Sequence, residues 1–131
     1  MMQPGAKIIL FHDAALVTLL RDDIASIPFP AHWDLPGGGL DADETALEAV
    51  LREVREEIGL RIDPATFVWT RRYGLDSTLF AAPISPAQIS EIQLGDEGQR
   101  WTMMPIAAFC THPRAIPHFR PRVAEFWESQ R

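Results

Sequence analysis

The chain has a single cysteine, Cys110, among its 131 residues, so no internal disulfide can form. That excludes a disulfide-stapled scaffold and makes a reducing, cytoplasmic home the expectation. No apolar run approaches the roughly 20 residues a helix needs to cross a bilayer. The start, MMQPGAK, carries no apolar segment behind a basic cluster, so no secretory leader is expected. There is no internal repeat and no low-complexity tract. Positive charge is also in short supply, with 12 Lys and Arg against 18 Asp and Glu and a net charge of −6. A chain of that sign is not built for polymeric nucleic acid or an anionic membrane surface. A small anionic substrate stays possible, because a bound metal ion can invert the local field. The remainder is ordinary for a soluble globular protein, 47% hydrophobic and 23% charged. Without a composition shift to mark a linker, one domain over residues 1–131 is expected, as a monomer or homodimer.

Residues 7–11 (KIILF) and 15–20 (ALVTLL) are short apolar runs expected to be strands. Residues 33–35 form a brief extended piece, and Pro36-Gly37-Gly38-Gly39 is expected to turn. A helix is predicted from Glu44 to Ile58, with Asp41 or Asp43 as N-cap and Gly59 just past its end. Strands follow over 67–73 and 77–82, joined at Gly74-Leu75-Asp76. Residues 83–88 are expected to be loop, and 89–97 are ambiguous. A strand over 100–104 leads to a short helix over 105–110 with Pro105 in its first position, and a final helix is predicted over 121–130.

The helix from Glu44 onward holds the chemistry. On a helical wheel Leu47, Val50, Leu51, Val54 and Ile58 form one apolar stripe for docking on a sheet. Glu53, Glu56 and Glu57 crowd together beside it. Like charges three and four positions apart cost a helix a few tenths of a kcal/mol per pair, and a divalent cation would offset that cost. Ala46 and Ala49 are small and lie in the same sector, so a ligand could come close. Arg52 can pair with Glu48 or reach Glu44 and orient the array. Gly37, Gly38 and Gly39 allow close backbone approach ahead of the helix, where free N–H groups favour anions.

The joint spacing of Gly38, Glu44, Arg52, Glu53, Val54, Glu56, Glu57, Gly59 and Leu60 resembles the Nudix box, and Leu35-Pro36-Gly37-Gly38 resembles its usual lead-in. The resemblance implies an α+β fold, an α/β/α sandwich around a mixed β-sheet. It implies Mg2+, with Mn2+ as a substitute, on Glu53, Glu56 and Glu57. Glu44 and Arg52 would be structural, and Gly38 and Gly59 would set the backbone. The reaction implied is hydrolysis of a phosphoanhydride in a nucleoside diphosphate linked to another moiety. The ion would neutralise phosphate charge and lower the pKa of a water, and a carboxylate would take its proton. In this family the base is a box glutamate, here Glu57 or Glu53, or one from a later loop. Glu97, in Gly95-Asp96-Glu97-Gly98, is that later candidate and a possible further metal ligand, with Asp96 beside it.

Substrate features are fewer. Arg21, at the end of the second strand, is expected to meet the substrate, with Gly37 and Gly38 alongside. Arg71 and Arg72 are adjacent, so at most one can face a cleft. Trp33, Trp69, Trp101 and Trp127 are expected in the core. His12, His32, His112 and His118 lack zinc-like spacing, and Arg114, Arg120 and Arg122 are expected to form a solvated basic patch. Asp76 stands where ADP-ribose hydrolases carry a proline, Tyr73 lies too early for the dinucleoside polyphosphate signature, and no coenzyme A motif precedes Pro36. These absences weaken three readings without establishing a fourth; the short chain, with little beyond the minimal fold of the family it resembles, makes a nucleoside triphosphate or an oxidised nucleotide the expected substrate. The alternatives are ADP-ribose or nucleotide sugars, dinucleoside polyphosphates, and a nucleotide-sensing module without catalysis.

Overall fold

A computed structural model describes residues 4–130. Residues 1–3, on which the expectation of no leader partly rests, lie outside it. The elements run β1 (Gly5–His12), β2 (Ala15–Leu20), β3 (Trp33–Asp34), β4 (Gly37–Gly39), α1 (Ala46–Ile58), β5 (Trp69–Tyr73), β6 (Ser77–Pro83), α2 (Pro86–Glu91), β7 (Arg100–Pro105), α3 (Ile106–Thr111) and α4 (Phe119–Ser129). Strands β3-β2-β1-β6-β5 lie side by side, with β4 pairing β1 and β7 pairing β2. Among these strand pairs β1 and β6 run parallel and the others antiparallel, so the sheet is mixed.

The period-2 alternation of β1 splits its side chains between two cores. Ile8 and Leu10 face α1, packing with Val17, Leu19, Ala49, Val50, Val54 and Ile58. Ile9 faces the opposite layer, where Leu16, Leu79, Phe109, Val123 and Phe126 join it beneath α3 and α4. The result is the expected α/β/α sandwich. Among the described residues no helix is long and apolar enough to cross a membrane.

Several boundaries differ from the sequence expectation for identifiable reasons. Helix α1 starts at Ala46, because Thr45 rather than Asp41 or Asp43 is the N-cap and forms a capping box with Glu48. Asp43 sits at φ +68°, a left-handed conformation unsuited to an N-cap. Gly59 closes the helix at φ +72° as predicted. Gly37–Gly39 is not a free turn but the short strand β4 on β1. A Cβ at Gly37 would stand 2.1 Å from the Ala6 carbonyl oxygen, so only glycine permits this pairing. Residues 86–91 form a helix, where loop was expected to Gln88 and no element was assigned beyond it; Ser85 and Gln88 make a second capping box with Pro86 in the first turn. Pro105 ends β7 and precedes α3 rather than opening it. Helix α4 begins two residues early, at Phe119, because Pro121 falls in the first turn, where no N–H is required.

Candidate active site

Helix α1 lies across the glycine strand β4, and that contact arranges two of its three glutamates. The Gly37 N–H donates to Glu57 Oε1 at 2.7 Å. Gly38 faces Glu53 so closely that an added Cβ would meet its Cδ at 2.7 Å. The atom in the way is the end of a flexible side chain, so Gly38→Ala should leave the fold intact and displace the Glu53 carboxylate. We expect that variant to lose about ten- to hundredfold in activity or metal affinity while melting within a few degrees of the parent, measured by kinetics and calorimetry.

Arg52 ties the array together. Its Nε and Nη2 grip Glu44 at 2.8 and 3.0 Å, and Nη2 also reaches the Gly39 carbonyl at 3.1 Å. Its Nη1 donates to Glu53 Oε1 at 3.0 Å and Glu56 Oε2 at 3.1 Å. Asp41 lies 3.4 Å away. Of the two partners expected from sequence, Arg52 takes Glu44; Glu48 is engaged in the cap. The Arg52 hydrogen bond holds the Glu44 carboxyl below its ordinary range. Glu53, Glu56 and Glu57 therefore each have one oxygen tethered by a protein donor and the other left for a ligand.

Glu57 is half-buried, and desolvation pushes its carboxyl up to about 8, against the pull of the Lys7 charge and the Gly37 N–H. Lys7 spends its three protons on Asp34 Oδ2 (3.1 Å), the Leu35 carbonyl (3.1 Å) and the Gly37 carbonyl (2.9 Å). Asp34 also accepts from Arg21 Nη1 at 3.1 Å and from the Leu35 N–H at 2.7 Å. A continuous network thus runs from Arg21 through Asp34 and Lys7 to the strand that holds Glu57. Sequence reading missed Lys7 and Asp34. The one available signal was a lysine at the head of an apolar strand, which by itself specifies no partner.

The loop before β7 closes the site. Glu53, Glu56, Glu57, Asp96 and Glu97 line one cavity of about 280 Å3. Leu19, Leu20, Arg21, Asp22, Ile27 and Asp34 line a second, of about 290 Å3, which shares Glu57 and Glu97 with the first. Arg21 keeps its Nε on the Pro28 carbonyl at 2.8 Å. The two cavities place an acidic chamber next to a cleft with apolar walls in which Arg21 stands beside Asp22 and Asp34, with Glu57 and Glu97 at the junction.

Other expected residues lie elsewhere. Arg71 pairs with Glu125, which also accepts from Tyr73, and Arg72 donates to the Leu75 carbonyl, so neither borders these cavities. Arg122 stacks over Tyr73 at 4.3 Å and donates to Ser77. Ala49 is fully buried in the core, which rules out the ligand approach expected there. Trp33 is buried, and Trp69, Trp101 and Trp127 pack against the two cores. Gly37 and Gly38 face Glu57 and Glu53 rather than a helix N-terminus.

The donor chemistry fits a divalent cation. Five carboxylates around one cavity are hard oxygen ligands of the kind Mg2+ and Mn2+ take. Among the described residues no group of three or more His, Cys, Asp or Glu side chains stands ready to hold a metal ion, so these carboxylates would have to close on a cation whose shell waters and substrate oxygens complete.

A mixed sheet between helical layers, with a glutamate-bearing helix capped and tethered over a glycine strand, defines the class as a Nudix fold. A bifunctional NMN adenylyltransferase/ADP ribose pyrophosphatase of Francisella tularensis, complexed with AMP and Mn ion, superposes with a TM-score of 0.74 at 18% identity, over 97% of this chain and 42% of that one. The NUDIX domain model matches residues 1–126, and the chain belongs to that family. It is 52% identical over 42 residues to an RNA pyrophosphohydrolase of Halorhodospira halophila, 31% of this chain and 23% of the relative. It is 41% identical over 51 residues to an 8-oxo-dGTP diphosphatase of Proteus vulgaris, 36% of this chain and 46% of the relative. The matches thus span less than half the length of these curated relatives.

Proposed function

We propose that the protein hydrolyses a phosphoanhydride bond in a small nucleotide, with Mg2+ or Mn2+ held by Glu53, Glu56 and Glu57 and with Glu97 completing the site. The observation that carries this reading is the tethering pattern. Each of the three helix glutamates has one oxygen fixed by Arg52 or Gly37 and the other available at a shared cavity. When bound, the cation supplies charge neutralisation of the phosphate oxygens and a water of lowered pKa.

The chain's own residues do the rest. Arg52 holds Glu53 and Glu56 in place, so little rotamer freedom is lost on binding. The Gly37 N–H aims Glu57. Glu97, at the junction of the two cavities, accepts the proton of the attacking water; Glu57, whose burial raises its basicity, is the other group placed to do so. Arg21 anchors a substrate phosphate or base edge in the adjoining cleft, with Leu19, Leu20 and Ile27 as apolar walls.

A nucleoside triphosphate, oxidised purine nucleotides included, is the substrate this reading favours. The names of the matching relatives, an RNA pyrophosphohydrolase and an 8-oxo-dGTP diphosphatase, support a nucleotide pyrophosphohydrolase. The test is hydrolysis of a panel of nucleoside triphosphates, their oxidised forms, nucleotide sugars, ADP-ribose and dinucleoside polyphosphates, with Mg2+ and with Mn2+, products identified by mass. A monophosphate with pyrophosphate from a triphosphate is the expected outcome. Preferred turnover of ADP-ribose or a dinucleoside polyphosphate would reassign the substrate, and tight binding without cleavage of any member would favour a sensing module.

A further inference from the structure

The loop that carries Asp96 and Glu97 is pinned at both ends by contacts that involve neither acid. At its start the Gly95 N–H donates to the Glu57 carbonyl at 2.8 Å, and the Gln93 N–H donates to the Ile58 carbonyl at 3.1 Å. These are carbonyls of the last turn of α1, which have no partner within the helix. The approach is close: a Cβ on Gly95 would lie 2.3 Å from the Glu56 carbonyl oxygen. Backbone stands in the way, so no rotamer change relieves it. At the far end the Gln99 N–H meets the Leu20 carbonyl at 2.9 Å, and the Gln99 side-chain amide donates to the Arg21 carbonyl at 2.8 Å. The Gly98 N–H reaches Asp22 at 3.3 Å. Only Asp96 and Glu97 lie between Gly95 and Gly98, and both border the acidic cavity.

The geometry points to Gly95 and Gln99 as positioning residues that set the reach of Glu97 into the carboxylate chamber. The inference rests on the reading of Glu97 as a participant in hydrolysis. Gly95 seats the loop against the end of the same helix that carries Glu53, Glu56 and Glu57, so its bare Cα fixes the separation between the two halves of the site. Gln99 seats the other end on β2, beside Arg21. With Gly98 and Gln99 still tied, a side chain at Gly95 displaces Asp96 and Glu97. With the Gln99 amide replaced, the tie to the Arg21 carbonyl is lost while the Gln99 and Gly98 N–H bonds remain, so the same two residues gain play at that end without being released.

The test is a pair of double-mutant cycles, Gly95→Ala with Glu97→Gln and Gln99→Leu with Glu97→Gln. They are read in kcat and KM with Mg2+ and the panel nucleotide turned over fastest, and in the Mn2+ dissociation constant by electron paramagnetic resonance. A misplacement near 1 Å costs about a hundredfold. Gly95→Ala is therefore expected to lower kcat by about thirty- to hundredfold with KM within about threefold, and Gln99→Leu by about five- to tenfold. In the Glu97→Gln background each should cost less than about threefold further. Equal losses in both backgrounds would overturn the inference. So would a loss of Mn2+ affinity in Gly95→Ala as large as in Glu57→Gln, which would place the damage in α1. Because Gln99→Leu introduces no clash, it decides the matter if Gly95→Ala fails to fold. Full activity in Glu97→Gln alone would instead sink the role given to Glu97, and this inference with it.

Discussion

Glu57→Gln is expected to abolish turnover and at the same time make the metal-free protein more stable above neutral pH. The activity loss follows from losing a ligand to an ion whose charge stabilisation amounts to several kcal/mol. At about 1.4 kcal/mol per tenfold, that is roughly a thousandfold or more in kcat. Glu53→Gln should lose a comparable factor. The stability gain follows from the sign of the Glu57 shift. Its carboxyl is raised from 4.5 to about 8 in the fold, chiefly by burial. Between those values the folded state holds a proton that the unfolded chain has released. The associated stability is fully present below pH 4.5 and is lost as pH rises through about 8, on the order of 4 kcal/mol in all. Glutamine is neutral throughout, keeps an acceptor for the Gly37 N–H and removes that slope. Urea unfolding of both proteins in chelator, between about pH 5 and pH 9, should show curves that diverge with rising pH. Added Mg2+ should flatten the wild-type dependence, because a cation favours the ionised carboxyl. Parallel curves for the two proteins would contradict the burial account of Glu57.

Arg52→Met is expected to be the most destabilising single change at the site. The guanidinium is one-quarter exposed and satisfies Glu44, Glu53, Glu56 and the Gly39 carbonyl together. Without it, Glu44, whose side chain is 18% exposed, loses its cation and faces the other carboxylates alone. Removing one partner of such a network costs more than the pair contributes, because the charges left behind are no longer neutralised. For a domain of this size the melting temperature should fall by roughly 5–10 °C. Arg52→Lys should recover only part of the loss, since one ammonium cannot span the fork that holds Glu44 and reach Glu53 and Glu56 as well. Mg2+ should restore stability to Arg52→Met in part, by neutralising Glu53 and Glu56, but cannot replace the grip on Glu44. Thermal melts with and without Mg2+ check both statements.

The helix glutamates, Arg52 with Glu44, and Gly59 were legible in the sequence because their spacing is local. One helical turn brings Glu53, Glu56 and Glu57 together whatever the rest of the chain does. What the sequence left hidden depends on contacts between distant segments. Lys7 meets Asp34 and Gly37 only because β1 lies between β4 and β6. Gly95 touches the end of α1 only because the loop before β7 folds back across it. The Gly37–Gly39 stretch is instructive in the same way: it carries a turn signature, yet β1 recruits it as a strand and so aims an N–H at Glu57. Ser85 with Gln88 was a readable capping signal, obscured by the two prolines around it. Ala49 shows the limit of a helical wheel, which gave the right face of α1 but not the depth to which the sheet covers it.

The account turns on whether the three tethered glutamates hold a divalent cation. Titration of Mn2+ into the wild-type protein and into the Glu53→Gln/Glu57→Gln double variant, followed by electron paramagnetic resonance, measures this without reference to any substrate. Saturable binding to the wild type, weakened by about a hundredfold or more in a double variant that remains folded, is the predicted result. Equal binding by the two proteins, or none by either, would contradict it.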